Sequence, residues 1–257
     1  ETISDFFYRT PVLDPAAGVD GRSTLIVDTN GDFLPDDAPQ QLVNDIIAGG
    51  GDPADYLTAD GNSPSGWVLL NPIYTEFPGG YNPDFGADIS DIALVAGVRG
   101  EFGGSNTWDV RFRTASAEAD YTLSESINPS LGRLSPTSFK PGKLTQEESS
   151  FNADFVMPLE IGNFASPVNF AFGAEWRQET YKIKAGDAAS ISAGPAFIFG
   201  VGSDGFQGFP TESAGSFDSD SIAAYVDFEV DFTDRFTGGV AFRFEDYDEF
   251  GSTFDWK

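Results

Sequence analysis

Ile222-Ala-Ala-Tyr-Val-Asp-Phe-Glu-Val-Asp-Phe-Thr-Asp-Arg-Phe236 is the stretch on which the fold turns. Its even-numbered residues from Ile222 to Phe232 are all apolar: Ile222, Ala224, Val226, Phe228, Val230 and Phe232. Between them stand Tyr225, Asp227, Glu229 and Asp231. A period of two marks a strand with one apolar and one polar face, because successive side chains point to opposite sides of the pleat. Thr233 and Asp234 leave room only for a tight turn, and the pattern resumes at once. Phe236, Val240, Phe242 and Phe244 then alternate with Arg243, Glu245 and Tyr247.

The same alternation recurs toward the N-terminus. Ile92, Leu94, Ala96, Val98 and Phe102 make one face of residues 91–102. Trp108, Val110, Phe112 and Thr114 do so within 107–119. Phe151, Ala153, Phe155, Met157 and Leu159 make a further row, and Phe170, Phe172, Ala174 and Trp176 another. None of these six faces holds a charge. Several runs are about twice the 5–6 residues of a soluble strand and match the roughly 9–11 residues of a membrane-spanning one. Short links at 103–106, 160–167 and 233–234 alternate with long ones at 11–90, 122–147 and 185–217. Outer-membrane barrels sort tight periplasmic turns from long extracellular loops in this way. The expected fold class is therefore all-β, with antiparallel up-and-down strands forming part of a transmembrane outer-membrane β-barrel. Phe102, Trp108, Phe232 and Phe236 flank the short turns, where an aromatic girdle would sit.

Residues 1–10 are expected to end a strand, 11–90 to form a long extracellular loop, and 91–257 to supply about six strands. A candidate seventh lies in Thr2–Arg9. Barrels close with at least eight strands, and an open sheet leaves hydrogen-bonding edges exposed. The expectation is a portion of a larger barrel, cut or processed at its ends, or a piece that assembles with copies of itself.

Composition agrees. Hydrophobic residues make up only 40% of the 257, yet Phe occurs 25 times, which favours a pleated surface. The absence of His and Cys removes the commonest general base, metal ligand and thiol nucleophile, and carboxylate pairs carry no signal in so acidic a chain, so no enzyme is expected. A formal charge of −27 excludes nucleic acid, whose phosphates require clustered Lys and Arg.

Several segments carry a resemblance. Ala171-Phe-Gly-Ala-Glu-Trp-Arg-Gln-Glu-Thr-Tyr181, Ala224-Tyr-Val-Asp-Phe-Glu-Val-Asp-Phe-Thr-Asp-Arg-Phe236 and Ala241-Phe-Arg-Phe-Glu-Asp-Tyr-Asp-Glu-Phe-Gly-Ser252 resemble barrel strands of TonB-dependent outer-membrane receptors. The runs 71–83, 130–136 and 205–209 are similar to loops of a long-looped subgroup. The resemblance implies a barrel of the Gram-negative outer membrane, closed by an N-terminal plug and importing a scarce nutrient: a ferric chelate, cobalamin, a sugar or a peptide. It implies outer-membrane lipid, the remaining strands and plug of a parent chain, and a TonB-type energy-coupling protein as partners. This sequence shows no plug and no energy-coupling box, so the part implied for it is wall and ligand-facing loop. A β-rich protein building an extracellular filament or layer is the alternative, motivated by the incomplete strand count.

Three groups of candidate residues follow. Asp28, Asn30, Asp32 and Asp36 offer oxygens at the spacing of a calcium loop, which would be structural, although Phe33 and Pro39 break the EF-hand pattern. The rival reading is a loop whose side chains cap their own backbone. Trp67, Tyr74, Phe77, Tyr81, Phe206 and Phe209 sit in Gly/Pro-rich loops, where they contact a ligand or pack the loop against itself. Arg99, Arg111, Arg113, Asp154, Glu175, Arg177 and Glu179 lie on the polar faces, lining the barrel interior or tying strand to strand.

Overall fold

A computed structural model of the chain describes residues 25–32, 34–77 and 80–257. Among them, β1 (Thr58–Ala59) and β2 (Trp67–Val68) pair as a small antiparallel ribbon. Seven longer strands form a single open sheet: β3 (Asp84–Phe102), β4 (Asn106–Ser124), β5 (Phe139–Leu159), β6 (Val168–Lys184), β7 (Gly215–Thr233), β8 (Phe236–Tyr247) and β9 (Gly251–Trp256). Their order across the sheet is their order in the chain, the up-and-down arrangement. The fold class read from the sequence holds.

The strands run well past the apolar alternation. β3, β4 and β7 have 19 residues each and β5 has 21. Strand therefore begins at Asp84, inside the segment expected to be loop through residue 90, and the two later loops shrink to 125–138 and 185–214. Six strands were expected in 91–257; β9 makes seven. The candidate strand in Thr2–Arg9 lies outside the described residues. Alternate links of such a sheet leave the same end of the strands. The β8–β9 link, 248–250, is tight although it shares an end with the long connections, so not every link there is long.

Register explains how the faces hold together. β7 pairs with β8 through Tyr225↔Arg243, Val226↔Phe242 and Phe228↔Val240. β8 pairs with β9 through Phe242↔Trp256 and Phe244↔Phe254. Directly opposed residues share a face, so in these pairs apolar meets apolar and polar meets polar, while nearer the loop Ile222 stands opposite Asp246. Phe170 stacks on Phe228 with centroids 4.7 Å apart, and Phe155 on Phe172 at 5.1 Å. Yet this face is no core. Ile92 is 75% exposed, Ile222 63% and Trp256 76%.

The chain packs as two compact units. The second comprises Ile89–Glu118, Leu144–Lys182 and Gly215–Lys257. The first is drawn from the described part of Glu1–Asp88 with Ala119–Lys143 and Ile183–Ala214. Its segments 25–77 and 80–83 were expected as open loop, but they fold. Helix α1 (Gln40–Ala48) follows Pro39 and is stapled on its outer face by Gln40–Asn44 and Gln41–Asp45 side-chain hydrogen bonds. Its Val43 and Ile46 are buried with Ala38, Tyr56, Leu57, Leu69, Ala196 and Phe199. A second cluster joins Leu25, Ile73, Tyr81 and Ile127. Short apolar runs broken by Pro, Gly and Asn give no periodicity to read, which is why a packed unit looks like loop in the sequence.

Buried polar groups join the separated segments of this first unit. Asn71, fully buried, donates from Nδ2 to the Pro129 carbonyl at 2.7 Å. Asn128, also fully buried, donates to the carbonyls of Ala189 (2.8 Å) and Ser192 (2.9 Å) and accepts from the Ser130 N–H and hydroxyl. Gly132 takes φ +54°, and a Cβ there would lie 2.0 Å from the Asp55 carbonyl oxygen, so only glycine fits.

Candidate functional site

The polar face of the second unit is where the charged candidates converge. Arg111 on β4 donates from Nη1 to Asp109 at 2.8 Å and to Asp154 on β5 at 2.7 Å. The Tyr225 hydroxyl on β7 donates to the other oxygen of Asp154 at 2.8 Å. That bond crosses over Gly173 on β6. A Cβ at this position would come within 2.6 Å of both the Asp154 oxygen and the Tyr225 ring. Glycine here is a gap through which two strands, neither adjacent to the other, reach contact.

Glu175 on β6 is the hub of a second network. It accepts from Asn152 at 2.6 Å, from Arg177 at 2.7 Å and from Arg243 at 3.4 Å. Arg243 on β8 also donates to Glu245 at 3.0 Å, and Ser221 donates to the remaining Glu245 oxygen at 3.2 Å. Arg113 pairs with Glu148, and Gln146 donates to Glu179 at 3.4 Å. Arg99 instead lines a shallow depression with Glu101, Trp108, Asp109 and Asp154. Five of the seven charged candidates thus tie strand to strand, while Arg177 bonds along its own strand to Glu175. The partners Asn152, Tyr225, Arg243, Glu245 and Ser221, and the gap at Gly173, were not singled out in the sequence. Their signal was their even spacing from the named charges on the same faces. Individually, half-exposed pairs of this kind contribute only about 0–1 kcal/mol; as connected networks they fix the mutual positions of β4 through β8.

The aromatic candidates belong to the first unit, and each has neighbours. Trp67 packs against the larger apolar cluster, and Tyr74 and Phe77 against the smaller. Tyr81 is buried, and its hydroxyl donates to Asp204 at 2.7 Å. Phe206 stacks on Phe85 at 4.3 Å, while Phe209 meets Tyr121 edge-on at 5.8 Å. Phe85, Tyr121, Phe206 and Phe209 form one cluster of rings, exposed at Phe85 and partly buried at the other three. Burial of Tyr56, with Asp55 beside it, pushes that phenol above its ordinary value.

At the acidic loop, the Asp28 carboxylate accepts from the Gly31 N–H, Asn30 from Asp32, Asp32 from Leu34, and Asp36 from the N–H and hydroxyl of Thr29. Asn30 and Asp32 make successive Asx turns, and the Asp36–Thr29 bonds close the loop across seven residues. A cation would compete with backbone donors for the same oxygens, and among the described residues no three acidic side chains come together as a metal-binding group.

An uncovered apolar face, a polar face cross-linked by charge, and nearest-neighbour antiparallel pairing define a class of protein: the wall of a transmembrane β-barrel. Among the described residues no helix is long and apolar enough to cross a membrane. The family model described as "TonB dependent receptor-like, beta-barrel" matches residues 37–257, and the chain belongs to that family. No match was found among curated proteins or among solved structures. Barrel domains of this family are outer-membrane proteins of Gram-negative bacteria that serve nutrient transport, and the family consists of transporters, not enzymes.

Proposed function

We propose that the chain forms a sector of the barrel wall of an outer-membrane nutrient receptor and, through its long connections, the surface that meets the incoming ligand. One observation carries this reading: the sheet has one face of uncovered apolar residues and an opposite face whose charged residues pair with one another across strands. A face such as the one bearing Ile92, Ile222 and Trp256 is tolerated where hydrocarbon is the solvent. Further strands and a plug from the parent chain would complete the barrel, and a TonB-type protein would act through that plug. The cargo falls within the classes such receptors import: ferric chelates, cobalamin, sugars or peptides.

The test is the intact mass and solubility of the native species. Recovery from the outer-membrane fraction only with detergent, in a chain longer than 257 residues, supports the receptor. A large water-soluble assembly of 257-residue copies would reject it and favour an extracellular filament or layer.

A further inference from the structure

We propose that Asn30 is a site of spontaneous covalent modification: the folded loop drives its side-chain amide to close on the Gly31 nitrogen, leaving an aspartate or isoaspartate at position 30. The inference concerns the first unit alone and does not depend on the reading of the sheet as barrel wall.

Asn30-Gly31 is the only Asn-Gly pair in the sequence. Its neighbours bring a contact to each of the three atoms that such a reaction changes. The Gly31 N–H, on the attacking nitrogen, donates to Asp28 Oδ1 at 2.8 Å. Asn30 Oδ1, which gains negative charge when its carbon is attacked, accepts from the Asp32 N–H at 2.8 Å. The leaving group, Asn30 Nδ2, donates to Asp32 Oδ2 at 3.2 Å. Thr29 bonds Asp36 through both its N–H and its hydroxyl, which holds the loop closed around the pair. Both residues of the pair are exposed, so water reaches the amide. Gly31 takes φ +76°, and a Cβ on it would meet nothing within 4 Å, so no side chain shields its nitrogen.

The nitrogen and the amide carbon are joined by the chain, so closing the imide ring needs no encounter. The Gly31 nitrogen bonds to Asn30 Cγ while its proton passes to the Asp28 carboxylate, a general base already hydrogen-bonded to it. The Asp32 N–H stabilises the oxyanion that forms. The Cγ–Nδ2 bond then breaks, and the nitrogen leaves as ammonia with a proton relayed from Asp28 by water. Water adds to either carbonyl of the imide and opens it to aspartate or to isoaspartate; no oxidant or cofactor enters. The loop then carries one more carboxylate beside Asp28, Asp32 and Asp36, and like charges so placed repel.

The other asparagines lack this arrangement. Asn71, Asn82 and Asn128 precede proline, which has no N–H to give up. Asn44 lies in α1, Asn106, Asn152 and Asn169 lie in strands, and Asn163 precedes the bulky Phe164. Asn62 is followed by Ser63, which is buried and whose N–H is bound to the Asp60 carbonyl.

The native protein in detergent and the same protein unfolded in guanidinium would be held at neutral pH in heavy-oxygen water. The peptide spanning residue 30 would be read by mass spectrometry and with an isoaspartate-directed methyltransferase. Residue 30 of the folded protein should take up heavy oxygen at least about tenfold faster than in the unfolded chain, with no comparable uptake at Asn62. Asp28→Asn keeps a hydrogen-bond acceptor and removes the base, and it should bring the folded rate down to the unfolded one. Retention of the Asn30 amide in the folded protein, or a folded rate no faster than the unfolded, would show that the loop shields Asn30 and would overturn the proposal. So would an Asp28→Asn protein that reacts as fast as the wild type.

Discussion

Gly173→Ala is the smallest change that should open the polar face. The new Cβ would lie 2.6 Å from the Asp154 carboxylate and 2.6 Å from the Tyr225 ring, so one of them must move. If the Tyr225–Asp154 hydrogen bond breaks, the loss is about 1.5–3 kcal/mol for a bond to a charged group. Crowding a packed position adds about 1–3 kcal/mol. Against this, alanine restricts the unfolded chain and returns about 0.5–1 kcal/mol. Because the Asp154 side chain is 21% exposed, water recovers part of the lost bond. The net destabilisation should be about 2 kcal/mol, toward the lower end of the sum. Guanidinium unfolding in detergent micelles, followed by tryptophan fluorescence, measures it. Tyr225→Phe should cost about 1–2 kcal/mol alone. In that background Gly173→Ala should lose about 1 kcal/mol of its effect, because the bond is already gone, while the clash with the ring persists. Effects that add to within about 0.5 kcal/mol, or a neutral Gly173→Ala, would refute the idea that glycine is there to admit the Tyr225–Asp154 contact.

Other perturbations separate the two units. Phe228→Arg places a charge near the middle of the apolar band and should reduce the free energy of folding into vesicles by about 2–4 kcal/mol, read from equilibrium insertion. Asn128→Ala removes the side-chain donor of the Ala189 carbonyl and leaves Ser192 only its longer bonds from Gly202 and Ser130, at about 1–3 kcal/mol in all, and should speed hydrogen exchange across 126–134 and 187–208 without altering that of β7 and β8. Arg243→Met removes a cation shared by Glu175 and Glu245; it should destabilise more than Arg177→Met, which leaves Glu245 paired, and paired denaturation curves decide the order. Tyr56 carries a pH prediction. Its folded-state value is raised, so the neutral phenol's contribution is complete below the unfolded value near 10 and is lost as pH rises through the folded value. Protease resistance of the first unit should therefore fall at strongly alkaline pH, and Tyr56→Phe should flatten that fall.

The strands were legible where one face is apolar and the other polar. Ile92–Phe102 and Ile222–Phe232 declare themselves because only a pleat puts every second residue on the same side. Past Phe112 and before Phe151 the sequence goes silent, since a strand outside hydrocarbon can be polar on both faces and loses its alternation. β9 was missed because Gly251–Trp256 is too short to show a period. The charged candidates were legible as a face but not as partners. Arg111 and Asp154 are 43 residues apart in the chain, and their meeting depends on register. The loop aromatics show the same limit more sharply. Tyr81 reads as an accessible ring, yet its hydroxyl partner, Asp204, is 123 residues away. No local pattern announces such a pair, so the packed core of 25–83 was invisible while the wall was plain.

Surface loops usually diversify one at a time, and engineers exchange them one at a time for the same reason. The first unit resists that route, because Asn71 bonds to Pro129, Asn128 to Ala189 and Ser192, and Ser126 to Asp204. Transplanting any one connection into another scaffold would strand amide and carbonyl groups in the interior of both donor and recipient. New ligand preferences should therefore arise by point substitution within the first unit, or by exchange of all three stretches together, and a chimera carrying only residues 185–214 should fail to bind whatever the parent binds.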